Sequence, residues 1–144
     1  SDTVAPQPLQ IHATTIAIDG RAVVLKGPSG SGKSALALQL MALGARLVAD
    51  DITQLTAEAG TVIARCPAAI QGQIEARGVG LLRADPLEAA PVALVVDMGI
   101  IETDRLPPKR RTRLAGQDVP LLHKVESAHF PAAILYYMRG GRSA

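Results

Sequence analysis

The chain alternates apolar runs with turn-forming residues. Residues 11–18 are rich in Ile, Thr and Ala, and a second apolar run at residues 22–25 follows Asp19-Gly20. Two β-type runs joined by Asp-Gly predict a hairpin. Residues 52–56 and 61–65 repeat this pattern around a glycine-containing turn, so a second hairpin is expected there. The pattern therefore favours antiparallel strands.

A helical pattern begins just after residue 32. Leu36, Leu40 and Leu43 recur at the spacing of one helix face, and Gly44 is placed to end the helix. Residues 46–49 then form a short apolar run that predicts a buried strand.

The rest of the chain is less regular. Residues 71–82 are mixed and interrupted by glycines, whereas residues 91–97 predict a clear buried strand. Residues 102–113 predict a polar loop that carries a basic cluster at Lys109, Arg110, Arg111 and Arg113.

The C-terminal part predicts one more strand and one more helix. Residues 119–125 favour a strand, and residues 127–138 favour a short helix with Ser127 as its N-cap. Because no linker or internal repeat interrupts the pattern, we expect a single domain over residues 1–144, with residues 1–8 as a loose lead-in.

Composition limits the classes of function. The hydrophobic share of 48% suffices for one core, and the aromatic share of 2% argues against base-stacking surfaces. A formal net charge of +2 implies neither a nucleic-acid nor a membrane partner. Cys66 is the single cysteine, so a reducing compartment is expected. With no signal-peptide pattern, a cytoplasmic location is the expectation.

One loop carries an explicit chemical signature. Residues 27–34 read Gly27-Pro28-Ser29-Gly30-Ser31-Gly32-Lys33-Ser34 and match G-x-x-x-x-G-K-S in full. A predicted strand precedes this phosphate loop and a predicted helix follows it. Glycines allow backbone N–H groups to approach phosphate oxygens, and the helix N-terminus attracts anions. We therefore expect the loop to bind a nucleoside triphosphate, with Lys33 at the outer phosphates and Ser34 on Mg²⁺.

Two acidic sites compete for the remaining catalytic roles. Asp97 ends the long apolar strand, and Asp50-Asp51 ends the short one. Adjacent carboxylates repel each other unless a cation is present. In a strand-like conformation they would also point to opposite faces, which suits two different roles. Asp50-Asp51 is therefore the stronger candidate, although either site could be a solvated turn.

Several segments together resemble the catalytic domain of the HPr kinase/phosphorylase family. These are His12, the phosphate loop, the segment Leu47-Val48-Ala49-Asp50-Asp51, and Glu75-Ala76-Arg77-Gly78-Val79-Gly80, with weaker similarity at Asp104-Arg105-Leu106 and residues 116–120. The compact form is similar to short versions found in alphaproteobacteria. The resemblance implies an α/β P-loop domain with a mixed, largely antiparallel sheet, similar to phosphoenolpyruvate carboxykinase.

The resemblance also implies a reaction and roles. ATP, with Mg²⁺, would phosphorylate a serine of the phosphocarrier protein HPr or a related carrier, and family members form hexamers. Asp50 would be the general base, and the general acid in phosphorolysis. His12, Lys33, Arg77 and Arg105 would also act in catalysis. Ser34, Asp51 and Glu75 would hold the metal. From the residues alone, His12 is more often a structural strand residue.

The sequence departs from the family near its C-terminus. Arginines familiar there are replaced by residues 125–129, Val-Glu-Ser-Ala-His, and the N-terminal domain of many members has no counterpart. These differences leave phosphorylase activity and oligomer contacts open. Two alternatives also remain: a small-molecule kinase with an arginine-rich lid at residues 105–113, and a nucleotide-dependent regulatory module without transfer activity.

Overall fold

A computed structural model describes residues 8–144. The expected lead-in, residues 1–8, lies outside that range except for its last residue. The described part contains two α-helices, α1 (Lys33–Ala42) and α2 (Phe130–Gly140), and a short 3-10 helix at Ala68–Ile70. Its ten strands are β1 (Leu9–Ile18), β2 (Arg21–Lys26), β3 (Arg46–Ala49), β4 (Ile52–Glu58), β5 (Thr61–Arg65), β6 (Gln73–Ala76), β7 (Gly80–Arg83), β8 (Ala89–Ile101), β9 (Arg110–Leu114) and β10 (Gln117–Lys124).

Eight strands form one mixed sheet, in the order β2-β1-β4-β5-β8-β10-β9, with β3 on β1. Strand β8 pairs in parallel with both β2 and β10, and the other pairings in this sheet are antiparallel. The β2–β8 pairing closes strands β1, β4, β5, β8 and β2 into a ring. The expected mixed, largely antiparallel sheet is confirmed.

The two predicted hairpins follow from their turn chemistry. Asp19 and Gly20 both have positive φ angles, 51° and 80°, and Ala59 and Gly60 have 52° and 79°. Two consecutive left-handed residues match the right-handed twist of the strands that they connect. Both hairpins are therefore confirmed, and they bring β1, β2, β4 and β5 into register without long connections.

The strands separate two hydrophobic clusters because their side chains alternate between faces. Val23 and Leu25 of β2 face the helices, whereas Val24 faces the interior of the ring. Helix α1 covers the first face with Leu36 and Leu40, and α2 adds residues such as Ile134. Leu43, expected on the buried helix face, is the C-cap residue of α1 and is 44% exposed.

Two sequence predictions for the C-terminal part of the chain are wrong. Residues 110–113, expected in a polar loop, belong to β9, whose Leu114 is buried and whose backbone pairs with β10. Ser127 was expected to cap the last helix, but the N-cap of α2 is His129. The Ser127 hydroxyl instead forms a hydrogen bond of 2.7 Å with Nδ1 of His129, so the helix begins at Phe130.

Candidate functional site

The site begins at a kink between β3 and β4. Both strands pair antiparallel with β1, and only Asp50 and Asp51 separate them. Asp51 has φ of 68°, a left-handed conformation that aspartate tolerates better than most residues. Its carbonyl accepts a hydrogen bond from the Ala13 N–H. The kink thus keeps both residues on β1 while it interrupts the alternation of side chains, and strained backbone of this kind is typical of functional sites.

The phosphate loop connects β2 to α1, as the sequence predicts. Gly27 has φ of 145°, and a Cβ there would lie 2.9 Å from Ser31 Oγ and 3.0 Å from the Gly99 nitrogen. Only glycine fits this position. The first turn of α1 contains no acidic residue, so its free N–H groups remain uncompensated. The geometry therefore leaves an anion-binding helix end beside the loop.

Lys33 lies at the start of α1 and turns back onto the loop. Its Nζ donates hydrogen bonds to the carbonyls of Gly27 at 2.7 Å and Pro28 at 3.0 Å. Among residues 8–144, no carboxylate lies within 4.0 Å of this ammonium group. Its charge is consequently available to a phosphate without first breaking an ion pair.

Asp50 is the centre of the polar contacts. Its side chain is buried, and Oδ1 accepts hydrogen bonds from Ser34 Oγ at 2.7 Å and Thr14 Oγ1 at 2.9 Å. Its Oδ2 accepts the backbone N–H of Glu75 at 2.9 Å. One carboxylate thus links β1, the start of α1 and β6. Thr14, which is fully buried in β1 beside the equally buried Thr15, is a site residue that the sequence interpretation missed.

Asp51 has different surroundings from Asp50. Its carboxylate is 78% exposed and lies 4.0 Å from Nδ1 of His12, which is 84% exposed. The structure thus brings His12 to Asp51 and Ser34 to Asp50. The two aspartates occupy the distinct environments that the sequence suggested, although Asp51 is not in a strand-like conformation.

A cavity of about 710 Å³ joins these groups. The phosphate loop, both aspartates of the kink and the hairpin β6–β7 line it, and the hairpin contributes Glu75 and Arg77. Ile74 anchors that hairpin in the core beneath α1. Exposed apolar residues, Val79 and Leu81, also line the cavity. Polar and apolar groups thus face one open space that is large enough for a nucleotide.

Three candidate catalytic residues outside the phosphate loop are not among the residues that line the cavity: His12, which contacts Asp51 as described above, Asp97 and Arg105. Asp97 is inside β8, where its Oδ1 accepts the Gly99 N–H at 2.9 Å and its Oδ2 lies 4.0 Å from Lys26 Nζ. Arg105 is exposed in the loop after β8. Neither borders the cavity in the described part of the chain. Strand β8 continues to Ile101, so Asp97 does not end the strand as the sequence suggests and instead accepts a backbone N–H within it. Arg105 would have to move to reach a bound substrate.

The loop that carries Arg105 is held at its base by Glu102. The carboxylate of Glu102 forms two hydrogen bonds of 3.1 Å with the Arg110 guanidinium and also accepts the N–H groups of Thr103 and Asp104. Arg110 holds the pKa of Glu102 below its usual range, while partial desolvation opposes this shift. The remaining β9 arginines, Arg111 and Arg113, lie near Asp118 on the neighbouring strand.

This geometry argues against an arginine-rich lid at residues 105–113. Three of the cations expected in such a lid, Arg110, Arg111 and Arg113, are in ion pairs on β9. The small-molecule kinase alternative therefore loses its main sequence argument.

The Glu102–Arg110 pair predicts an acid-dependent stability. A lowered pKa in the folded state stabilises the fold above the unfolded value of about 4.3, and that contribution is lost as the pH falls through the folded value. We expect Arg110→Met to lower the Tm at neutral pH and to converge with the wild type in acid. His123, whose Nδ1 lies 3.8 Å from Glu102 Oε1, is unchanged in Arg110→Met. Its contact with Glu102 is therefore common to the wild type and the variant.

Thermal melts between about pH 2 and pH 7 measure this difference. Arg113→Met is the matched control, because Arg113 is 72% exposed and lies 3.9 Å from Asp118. Parallel Tm curves for the wild type and Arg110→Met across the whole range would refute the assignment.

Cys66 lies near enough to Asp50 to be affected by its charge, but it lacks the features of a nucleophile. Burial raises the pKa of its thiol, and the charge of Asp50 raises it further. A thiolate is the reactive form of cysteine, so these surroundings keep Cys66 protonated and inert at neutral pH. Cys66 is therefore a half-buried structural side chain.

A phosphate loop between a strand and a helix, beside a carboxylate bonded to the loop serine, defines a P-loop phosphate-binding domain on a mixed sheet. A family model described as the HPr serine kinase C-terminal domain matches residues 3–87. The chain belongs to this family, and the resemblance stated from the sequence is confirmed.

Individual relatives agree with this family. The HPr kinase/phosphorylase of Aromatoleum aromaticum is 44% identical over 75 residues, which are 51% of this chain and 24% of the relative. That of Clostridium botulinum is 34% identical over 82 residues, 57% of this chain and 27% of the relative. The matched segment thus spans about a quarter of these curated relatives.

A solved structure extends the comparison to nearly the whole chain. The structure of the Hpr(Ser) kinase/phosphatase from Coxiella burnetii matches with a TM-score of 0.77 and 25% identity, over 91% of this chain and 94% of the other. The fold is therefore shared beyond residue 87, where the family model stops. Within residues 8–144, no helix combines the length and apolarity needed to cross a membrane.

Proposed function

We propose that this chain is an ATP-dependent protein-serine kinase domain that phosphorylates HPr or a related phosphocarrier of a phosphotransferase system. The observation that carries the proposal is the 2.7 Å hydrogen bond between Ser34 at the start of α1 and the buried Asp50. It joins the phosphate-binding end of the site to the group best placed to act on an acceptor. Family membership supplies the reaction type and the acceptor.

ATP binds with its phosphates along residues 27–34 in this proposal. Backbone N–H groups of the loop and of the first turn of α1 contact the phosphate oxygens. Lys33 exchanges its two carbonyl partners for the outer phosphates, which requires side-chain rotation only. These donors stabilise the charge that develops on the transferring phosphoryl group.

Asp50 receives the proton of the acceptor serine. The serine oxygen bonds to the γ-phosphorus, the bond between that phosphorus and the β–γ bridging oxygen breaks, and ADP leaves. The proton passes to the Asp50 carboxylate, whose orientation is fixed by Thr14 and the Glu75 N–H. His12, Arg77 and Arg105 assist catalysis. In phosphorolysis, if this chain performs it, Asp50 returns the proton as general acid.

The donor set also fits Mg²⁺. The Ser34 hydroxyl and the carboxylates of Asp51 and Glu75 line the cavity that holds the phosphate loop. No group of three or more His, Cys, Asp or Glu side chains between residues 8 and 144 is arranged as a metal site. This suits Mg²⁺, which binds through one or two carboxylates with phosphates and water instead of an all-protein cage. When bound, the ion neutralises charge on the phosphates.

The remaining parts of the proposal rest on the family. We include a cytoplasmic location, one catalytic domain over residues 1–144 and a homo-oligomer, a hexamer by resemblance. No role with nucleic acid or a membrane is proposed, because the net charge of +2 gives no basic surface signal.

The experiment is phosphoryl transfer from γ-labelled ATP with Mg²⁺ to HPr from the same source. Label on an HPr serine, identified by mass spectrometry, is the expected result. Transfer to metabolites without a protein acceptor would instead identify a small-molecule kinase. Binding of ATP with no transfer to any carrier would identify a nucleotide-dependent regulatory module and contradict the kinase assignment.

A further inference from the structure

Lys124 lies at the end of β10, at the edge of the sheet where β2 leads into the phosphate loop, and it contacts that loop. Its Nζ donates a hydrogen bond of 3.1 Å to the backbone carbonyl of Ser31, 93 residues away in sequence. No carboxylate of residues 8–144 lies within 4.0 Å of this ammonium group. The hydrogen bond to the Ser31 carbonyl is thus the polar contact of the Lys124 ammonium group among the described residues.

The strand register explains why Lys124 arrives there. His123 pairs with Asp97, but the next residue, Lys124, pairs with Ile101, so β8 bulges between these positions. The bulge packs on the start of the phosphate loop, because a Cβ at Gly99 would lie 3.1 Å from the Pro28 ring. Lys124 adds a second contact with the loop, at the Ser31 carbonyl.

The carbonyl that Lys124 holds decides where a phosphate-binding N–H points. The described peptide bonds are all trans, so the Gly32 N–H is directed opposite to the Ser31 carbonyl. Gly32 lines the cavity. The Ser31 hydroxyl does not hold this peptide in place, because its buried Oγ has no hydrogen-bond partner among the described residues. The orientation of this peptide therefore depends on Lys124.

From these contacts we propose that Lys124 is a positioning residue for nucleotide binding, which fixes the Ser31–Gly32 peptide with its N–H towards the phosphates. The proposal rests on the proposed binding of ATP by the same loop. It also gives the C-terminal part of the chain a role in the site, although the family model does not extend beyond residue 87.

The test measures ATP affinity, the KM for HPr and the Tm of Lys124→Met. Loss of a charge-assisted hydrogen bond predicts about tenfold weaker ATP binding. The KM for HPr should not change, and Lys124→Arg should restore most of the affinity. A general structural defect would change both substrates and would not be restored by arginine. Arg139→Met is the matched control, because Arg139 pairs with Asp19 at the opposite end of β2.

The outcomes separate this proposal from the proposed function. Unchanged ATP affinity in Lys124→Met, with a wild type that binds ATP, overturns the role of Lys124 alone. Failure of the wild type to bind ATP overturns the proposed function as well. If Lys124→Met does not fold, Lys124→Gln decides, because it keeps a donor without the charge: weaker ATP binding supports the role, and wild-type affinity overturns it.

Discussion

Asp50→Asn is expected to lower the rate of phosphoryl transfer by about 10²–10⁴-fold, the range associated with loss of a general base. The amide cannot accept a proton from the acceptor serine at neutral pH. It also places an N–H₂ group either against the Glu75 N–H or against the hydroxyls of Ser34 and Thr14, where Asp50 now only accepts hydrogen bonds. Rates with labelled ATP and HPr measure the loss.

Binding separates a chemical role of Asp50 from a structural one. Asp50→Asn should retain ATP binding within about tenfold, because the loop amides and Lys33 supply most phosphate contacts. Asp85→Asn is the matched control, since its carboxylate is 94% exposed and pairs with Arg46. Transfer at wild-type rates in Asp50→Asn would exclude Asp50 as the base.

Lys33→Met is expected to reduce transfer by about 10²–10³-fold, the effect of removing one donor that stabilises transition-state charge. The methionine keeps an unbranched apolar side chain that is one atom shorter and removes the ammonium. In the described state Lys33 contacts only the carbonyls of its own loop. Because neutral Met leaves those carbonyls unpaired near the surface, we expect a small change in Tm.

The kinetic pattern identifies what Lys33 does. A fall in kcat larger than the rise in KM for ATP indicates an interaction made mainly in the transition state. Arg139→Met again serves as the control for loss of one positive charge. An unchanged kcat with raised KM would restrict Lys33 to ground-state binding, and unchanged values of both would remove it from the site.

The local chemistry of the sequence predicted much of the fold. Asp19-Gly20 and the turn before Thr61 specified their hairpins, because few residues adopt two successive left-handed conformations. The helix after Lys33 was visible from Leu36 and Leu40. Strand β9 was not visible, since Arg110, Arg111 and Arg113 obscure a strand whose stability comes from pairing with β10. Non-local pairing of this kind leaves no local signal.

The parts of the site that lie in sequence motifs were predictable, whereas the parts formed by tertiary contacts were not. The phosphate loop and Asp50-Asp51 were found from their residue types and spacing. The contact of Ser34 with Asp50, instead of Asp51, depends on the kink between β3 and β4. Thr14 carried no distinct signal, because the neighbouring Thr15 is equally buried and bonds to Thr53 instead of Asp50. Lys124 could not be predicted, because the 93-residue separation from Ser31 is closed only by the sheet.

The most direct test of the central claim, that residues 27–34 and Asp50 form one nucleotide site, is calorimetric titration of the chain with ATP. We expect one site per chain, binding of ATP at least about tenfold tighter than AMP, and tighter binding with Mg²⁺ than without it. No binding of ATP, or equal affinities for ATP and AMP with no effect of Mg²⁺, would contradict it.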